Sequence, residues 1–580
     1  MAVWSCSHTS RKLSVRSSGV PVMGLGAGCA GRLRVRNSVS SSSASASSVS
    51  AQGVWSARDG KRGKERKREG ARRANRSSKL HVFNTSDADA RARSTAAAST
   101  RGNGGAISKP HVVVAGGGIG GLITGLALHK RGIACTVYEK VTEYKPFGGP
   151  IQLAGNALSM LEALDRDIAE QVMSHGAITG DRVNGLLDGS TGAWYCRFDT
   201  RKPAYTHGLP LTMVVSRYTL IEILRSALPE GMLQTGTRVI SYEQDDTGVK
   251  VHLENGESVN GDVLIGADGI RSAVREQMKT KSGIAAMLGL KDDPRYSGYT
   301  CYTGIADYIP DDVNEVGYQV FLGCGRYFVA SDVGEGQVQW YAFKKQEAGI
   351  DNAARCMKES VQDIFGDWCE EVNTIINKTP AERFENRDIF DRAPTLQWVS
   401  GRVALLGDAA HAMQPNMGQG GCQTIEDAYH LSLHLRSALE GDANAAGAST
   451  TDVNAALVSY QNERVARCAA VQGFARAAAL MASTYRPYLG SDPYEMYEHV
   501  PGAMNFWKDM EDKRLPHPGR VAGQVAMMLA IDPILNYITG GGQPLTEERV
   551  AYCQLPGVGE RRKKLPDTLF KMNGIPGIAT

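Results

Sequence analysis

Two periods of apolar and polar positions run along this chain, and the places where one gives way to the other mark its elements. His111-Val112-Val113-Val114-Ala115 is an unbroken apolar run, as expected of a strand buried on both faces. A glycine cluster follows it, and Leu122 to Lys130 then takes helical spacing. Ala134 to Tyr138 is a second short strand, so these segments predict a βαβ unit. Further on, Asn156 to Val172 and Tyr218 to Ala227 carry helical spacing, while Trp194 to Asp199 and Leu211 to Ser216 read as strands. Thr237 to Ile240 and Val249 to Leu253 read as strands flanking the turn residues Asp245-Asp246-Thr247-Gly248, and Val263 to Gly266 as another. From Tyr299 to Lys344 the period drops to two, through Gln319-Val320-Phe321-Leu322, Tyr327-Phe328-Val329-Ala330 and Val338-Gln339-Trp340-Tyr341. Alternation on that scale predicts an antiparallel sheet. Val403 to Leu406 returns to a buried strand, and Cys422 to Ala438 and Val453 to Met481 are long helical stretches. The expected fold class is α/β: a Rossmann-like nucleotide-binding domain, an inserted antiparallel β-sheet domain and C-terminal helices. The expected boundaries are 109–298 with 385–445 for the first, 299–384 for the second, 446–545 for the helices and 546–580 for a tail.

Composition separates the beginning of the chain from the rest. No Asp or Glu occurs from Met1 to Arg58, and Ser40 to Ser48 is entirely Ser and Ala. Such a segment buries too little apolar surface to offset its chain entropy. Its Arg-rich, Ser-rich, acid-poor character predicts an organelle transit peptide across 1–108. The basic run from Lys61 to Arg76 belongs to this leader, from which the formal charge of +4 largely comes, so no nucleic-acid partner is expected. Eleven cysteines lie scattered without CxxC spacing, so no metal site is predicted. No apolar run reaches the roughly 20 residues needed to span a bilayer.

Three loops carry candidate chemistry. In Gly116-Gly117-Gly118-Ile119-Gly120-Gly121, Gly116 allows the tight turn, Gly118 lets a pyrophosphate approach the backbone, and Gly121 lets helix pack on strand. Glu139, at the end of the second strand, is placed to accept from a ribose hydroxyl. This motif alone leaves FAD and NAD open. The second loop is Gly401-Arg402-Val403-Ala404-Leu405-Leu406-Gly407-Asp408-Ala409-Ala410-His411, where Asp408 ends a strand and can face a ligand hydroxyl. Pro415-Asn416-Met417-Gly418-Gln419-Gly420-Gly421 follows it, and the amides about Gly418, Gly420 and Gly421 suit the anionic edge of a reduced flavin ring. His411 is either an acid or a packing residue of that turn. In the third loop, Gly266-Ala267-Asp268-Gly269-Ile270-Arg271-Ser272-Ala273-Val274-Arg275, the choice is between a ligand site and a capped helix with a surface Arg.

Together the three motifs resemble those of the class A flavoprotein monooxygenases, whose fold is p-hydroxybenzoate-hydroxylase-like. Within that family the chain is most similar to the zeaxanthin epoxidases of plastids. The similarity runs through Gly149-Pro150-Ile151-Gln152, Ile178 to Leu186, Tyr296 to Ile305, Gln339-Trp340-Tyr341, His411 to Asn416, Met481 to Tyr485 and His517 to Val521, covering roughly residues 111–542. The resemblance implies FAD held by Gly116, Gly118, Gly121, Glu139 and Asp408, with Pro415 and the glycines after it positioning the ring. Asp268 and Arg275 belong to the motif linked to FAD and NAD(P)H. Arg217 matches a flavin-contacting Arg; a surface charge at a helix start is its other reading.

By the same resemblance the reaction is flavin-borne, with no side-chain nucleophile. NADPH, in some settings with ferredoxin, reduces FAD; O₂ adds as a C4a-hydroperoxide; and a ring alkene of zeaxanthin is epoxidised to antheraxanthin and then violaxanthin. The expected location is the plastid, in the stroma or peripheral to thylakoid or envelope lipid. Val525 to Ile531 with Pro533-Ile534-Leu535 and Tyr537-Ile538 is either an interfacial segment or a core helix. Trp340-Tyr341-Ala342-Phe343 lines either a hydrophobic tunnel or a sheet core. An aromatic hydroxylase and a non-catalytic flavin or carotenoid binder stay open as alternatives. The chain departs from the family at Phe147-Gly148, where a Tyr-Arg is usual, in a longer stretch from Glu276 to Asp293, and in ending near Gly577 without a forkhead-associated domain.

Overall fold

The computed structural model describes residues 110–145, 149–198, 200–280, 292–350, 356–439, 450–484 and 530–548. The leader, Phe147-Gly148, the middle of the 276–293 stretch, residues 525–529 and most of 546–580 lie outside the described residues.

The apolar runs form one six-stranded sheet in the order Val399–Ser400, Val403–Leu405, Val263–Gly266, His111–Ala115, Ala134–Tyr138, Leu233–Gln234. Every pairing in it is parallel except the first. Val112, Val113, Val114, Val263, Leu264 and Ile265 are fully buried because helices cover both faces. One cover is Ile119–Lys130, which packs against the helix Gly420–Leu439. Asn156 to Val172, continuous in its spacing, is divided into Gly155–Leu164 and Arg166–Ser174. Asp165 breaks it by turning extended, and its carboxylate accepts from the Ile168 amide at 3.1 Å to start the second helix.

The alternating region is a seven-stranded sheet in the order Glu385–Asp391, Arg295–Asp307, Gln337–Lys345, Arg326–Gly334, Val316–Gly323, Val183–Asp188, Trp194–Phe198. It is antiparallel except between Val316–Gly323 and Val183–Asp188. The sheet therefore draws on residues 183–198 and 385–391 as well as on the expected 299–384 domain, within which the sequence shows the alternation from Tyr299 to Lys344. Its pleat separates the side chains. Tyr302, Phe321, Phe328, Trp340 and Ala342 pack on one face beneath the amphipathic helices Met357–Phe365 and Glu370–Lys378. Tyr299, Cys301, Tyr327, Tyr341 and Phe343 occupy the other face. Trp340-Tyr341-Ala342-Phe343 is thus divided residue by residue: Trp340 and Ala342 are core, Tyr341 and Phe343 face the opposite way.

The helices Thr450–Thr484 and Asp532–Gly540 complete the unit. Ile538 and Thr539 are buried while Tyr537 faces outward, so this part of the C-terminal apolar stretch packs as a helix. Beyond it, both carboxylate oxygens of Glu548 receive hydrogen bonds from Arg131 at 3.0 Å, and the Tyr429 hydroxyl donates to the same group.

Candidate functional site

Parallel strands end at a common edge, and here the register aligns Ala115 with Tyr138 and with Gly266, and Gly266 with Leu405. Gly116, Glu139, Asp268 and Asp408 therefore leave the sheet side by side, where a ligand of an open α/β sheet is expected.

Two of the loop glycines are required by the protein itself. Gly116 has φ +101°, and a Cβ there would lie 2.5 Å from the Ala267 carbonyl oxygen. A Cβ on Gly121 would lie 1.7 Å from the Gly116 oxygen, so helix and loop touch through their backbones. A Cβ on Gly118 would meet nothing within 4 Å. No protein atom demands that glycine, and the open space in front of it fits a diphosphate approaching the first turn of the helix. Glu139 is buried, and its Oε2 accepts from the Gly117 amide at 2.5 Å while Oε1 accepts from Val141 at 3.0 Å. It thus holds the loop, with lone pairs left over for a ribose. Tyr144, which sequence reasoning passed over, donates to the Gly117 carbonyl at 2.7 Å. Burial and then the nearby Glu139 push its hydroxyl pKa upward, keeping it a donor.

Asp268 caps a helix: its Oδ2 accepts from the amides of Ala273 at 2.8 Å and Val274 at 3.4 Å. Its Oδ1 is buried with no partner among the described residues, and burial raises its carboxyl pKa. Arg275 is buried rather than on the surface, 1% exposed. It donates to Asp292 at 2.6 Å and to the carbonyls of Ala409 and Ala410 at 2.9 and 2.8 Å. Its guanidinium joins the Asp268 loop to the turn after Asp408.

Asp408 is exposed within an otherwise buried stretch and has no partner among the described residues. Gly407 before it takes φ +61°, the twist that turns the strand end outward. Pro415–Met417 forms one 3-10 turn, Gly418 has φ +61°, and Gly420 begins the helix Gly420–Leu439. Within that helix Gln423 is the first to bond back, to the Gln419 carbonyl at 2.8 Å, so the amides of Gly420, Gly421 and Cys422 form its unpaired first turn. An exposed carboxylate, an open glycine and an unpaired first turn fit the hydroxyls, diphosphate and ring edge of FAD. Arg217 stands exposed at the start of Arg217–Ser226; burial raises the Tyr341 pKa, and the charge of Arg217 reaches that hydroxyl closely enough to offset a small part of the rise.

The apolar sheet face closes over this loop. Tyr299 donates to Gln414 at 2.8 Å and to Asn416 at 3.2 Å, and Asn416 donates to Tyr327 at 2.8 Å. Tyr327 stacks on Phe343 with centroids 4.4 Å apart. From the opposite side, Leu535, Ile538 and Thr539 share a cavity with Gln152, Met417 and Gln419.

Beneath the loops lies a polar layer that the sequence reading missed. Glu426 and Asp427 are fully buried, and Arg464 donates to Asp427 at 2.8 Å and to Glu426 at 2.5 Å. Arg467 forks onto Glu426 at 2.7 and 2.8 Å. Burial opposes the charge of Glu426, but the two guanidinium groups outweigh it and hold its carboxyl below the usual range. His411 is 1% exposed, lies 2.5 Å from Asp427 and packs its ring on Trp398. It is a packing residue of the turn. The available signal was an acidic pair set among the apolar Cys422, Ile425, Ala428 and Tyr429 of the same helix.

A family model described as "FAD binding domain" matches residues 109–472. The "Zeaxanthin epoxidase, chloroplastic" of Solanum lycopersicum is 46% identical over 77% of this chain and 64% of its own length. That of Spinacia oleracea is also 46% identical, over 77% and 63%. The chain thus spans somewhat under two thirds of these relatives. Klebsiella pneumoniae HpxO complexed with FAD and uric acid superposes with TM-score 0.58 at 26% identity, over 74% of this chain and 97% of that one. A salicylate hydroxylase substrate complex gives TM-score 0.56 at 21% identity, over 76% and 99%, and shows the same fold. With the glycine loop, the Asp408 turn and the amides of Gly420 to Cys422 meeting within the matched stretch, this chain belongs to the FAD binding domain family.

Proposed function

We propose that this chain is an FAD-dependent monooxygenase that epoxidises the ring alkenes of zeaxanthin, giving antheraxanthin and then violaxanthin, with NADPH as electron donor. The observation that carries the reading is the apolar, tyrosine-rich sheet face set directly over the Pro415–Gly421 loop. Such a face receives a hydrocarbon ring and excludes water. Bound FAD supplies the redox chemistry and the activation of O₂.

The protein's part is positioning. Gly116, Gly118 and Gly121 shape the diphosphate cradle, and Glu139 and Asp408 take hydroxyls of the cofactor. The amides of Gly420, Gly421 and Cys422 favour negative charge on the ring edge, and Pro415 and Gly418 set the loop's path beside it. Arg217 adds a positive charge at the rim. Arg275 keeps the Asp268 and Asp408 loops in register for cofactor and NADPH. Relatives named chloroplastic support a plastid location. No described helix is long and apolar enough to cross a membrane. The reading places the enzyme in the stroma or peripheral to thylakoid or envelope lipid, where it meets a lipid-borne substrate. Ferredoxin stands as a second electron source.

The test is the purified protein loaded with FAD, given NADPH and either zeaxanthin in lipid vesicles or a salicylate-like phenol. The expected products are the mono- and diepoxide. Phenol turnover without carotenoid epoxide would replace this reading with aromatic hydroxylation. FAD binding with neither product would leave a binding protein.

A further inference from the structure

We propose that Glu426, Asp427, Arg464 and Arg467 are positioning residues that set the electrostatic field at the cofactor-facing end of the helix Gly420–Leu439. The proposal rests on the ring placement given above, against the amides of Gly420 to Cys422.

Each carboxylate tethers one cofactor loop. Asp427 accepts from the Gly407 amide at 3.0 Å, the residue before Asp408. Glu426 accepts from Asn156 at 2.5 Å, and Asn156 also donates to Gln419 at 3.1 Å, between Gly418 and Gly420. Gln423 bridges the same two groups at 3.0 and 3.2 Å. Each carboxylate is in turn neutralised from the helix Thr450–Thr484, and Arg467 also donates to the carbonyls of Tyr537 and Ile538 at 3.0 and 2.7 Å. Neutral amides would suffice to tether loops, and a buried ion pair is often no more stable than apolar packing of equal volume. What charges add is reach. Glu426 lies six residues from Gly420, about 9 Å along the helix, through interior that screens poorly. Two carboxylates face two guanidinium groups and the His411 imidazole there, and removing one charge of either sign shifts the field aimed along the helix at the ring. His411 and Cys468 border the quartet, and with Asp427 their ligand atoms lie within 4.8 Å of one another. Arg464, 2.8 Å from Asp427 and 3.5 Å from the Cys468 sulfur, already supplies the cation of that cluster.

The experiment uses the full chain loaded with FAD and measures its reduction potential by dye-equilibrated titration, alongside FAD affinity. Glu426→Gln leaves a surplus cation and should raise the potential. Arg467→Gln leaves a surplus carboxylate and should lower it. The double variant restores balance and should return the potential toward the unsubstituted value, while each single weakens FAD binding about tenfold, as expected for coupled partners. Arg467→Lys keeps the charge while losing the fork, and should leave the potential in place. Arg467 is the outermost of the four at 7% exposed, so if Glu426→Gln does not fold, the contrast between Arg467→Gln and Arg467→Lys decides. Glu426→Gln and Arg467→Gln shifting in the same direction, or a normal potential in either of these two when it binds FAD, overturns the proposal. Failure of the unsubstituted chain to bind FAD would instead overturn the cofactor reading beneath it.

Discussion

Replacing Arg275 by Met tests whether the two cofactor loops depend on one buried side chain. Met fills most of the space of the stem, so the packing change is small and the lost bonds dominate. The guanidinium serves two carbonyls, Ala409 and Ala410, and one carboxylate, Asp292. Each buried carbonyl left without a donor costs about 1–3 kcal/mol. Asp292 is 33% exposed at its side chain, so water takes over much of its solvation, and its share falls to about 0–1 kcal/mol. The expected destabilisation is about 2–7 kcal/mol, a large part of the roughly 5–15 kcal/mol of a typical domain. Urea unfolding of the apoprotein should show the midpoint falling with little change in slope. Because the freed carbonyls lie in the turn that begins at Asp408, FAD affinity should also fall about tenfold, and Asp408→Asn should then cost less on this background than alone. A midpoint shift worth under about 0.5 kcal/mol, or independent effects of the two substitutions, would show that the loops are held some other way.

Gly121→Ala should abolish FAD retention, since overpacking costs about 1–3 kcal/mol and the clash is with backbone that must shift the phosphate loop; absorbance of the purified protein near the flavin bands checks this. Asp408→Asn should leave stability within about 0.5 kcal/mol, because the side chain is exposed and unpartnered, while weakening FAD about tenfold in a fluorescence titration. Glu162 is buried with one oxygen unpartnered, and burial, against the weaker pull of Arg166, raises its pKa to about 7. The folded state then holds a proton that the unfolded chain releases near 4.5, so this group's contribution is full below that pH and is lost as pH rises toward about 7. Glu162→Gln should flatten the fall in melting temperature across that window, and an unchanged slope would refute the assignment.

The parts of the fold legible in the sequence are those set by local constraint. A strand, two sterically forced glycines and a helix leave few alternatives, and His111–Ala115 and Val249–Leu253 keep the bounds their patterns suggest. The pleat likewise follows from alternation alone. Pairings decided by distant segments were not legible. Val183–Asp188 lies in a stretch notable for its similarity to relatives, yet its parallel partner begins 133 residues later, where Val316 pairs with Val183. The helices Met357–Phe365 and Glu370–Lys378 had the signal, in Val361 with Phe365 and Val372 with Ile375 and Ile376, and were passed over beside the stronger strand pattern. For Asp268 and Arg275 the chemistry was visible and the burial was not. A charged residue on a helix is usually solvated, and only the Asp408 turn packed against it makes Arg275 internal.

The six-stranded sheet also has a temporal meaning. Its members come from 111–138, 233–266 and 399–405, so a chain made or threaded from its amino end presents the diphosphate cradle long before the strands that complete it arrive. Until the last third emerges, Val112 to Val114 and Val263 to Ile265 lack a neighbour or a cover, a state prone to aggregation. Completion of the sheet, and with it the turn that carries Asp408, is therefore a late event in folding, and the edge at Val263–Gly266 stays open until Val403–Leu405 docks.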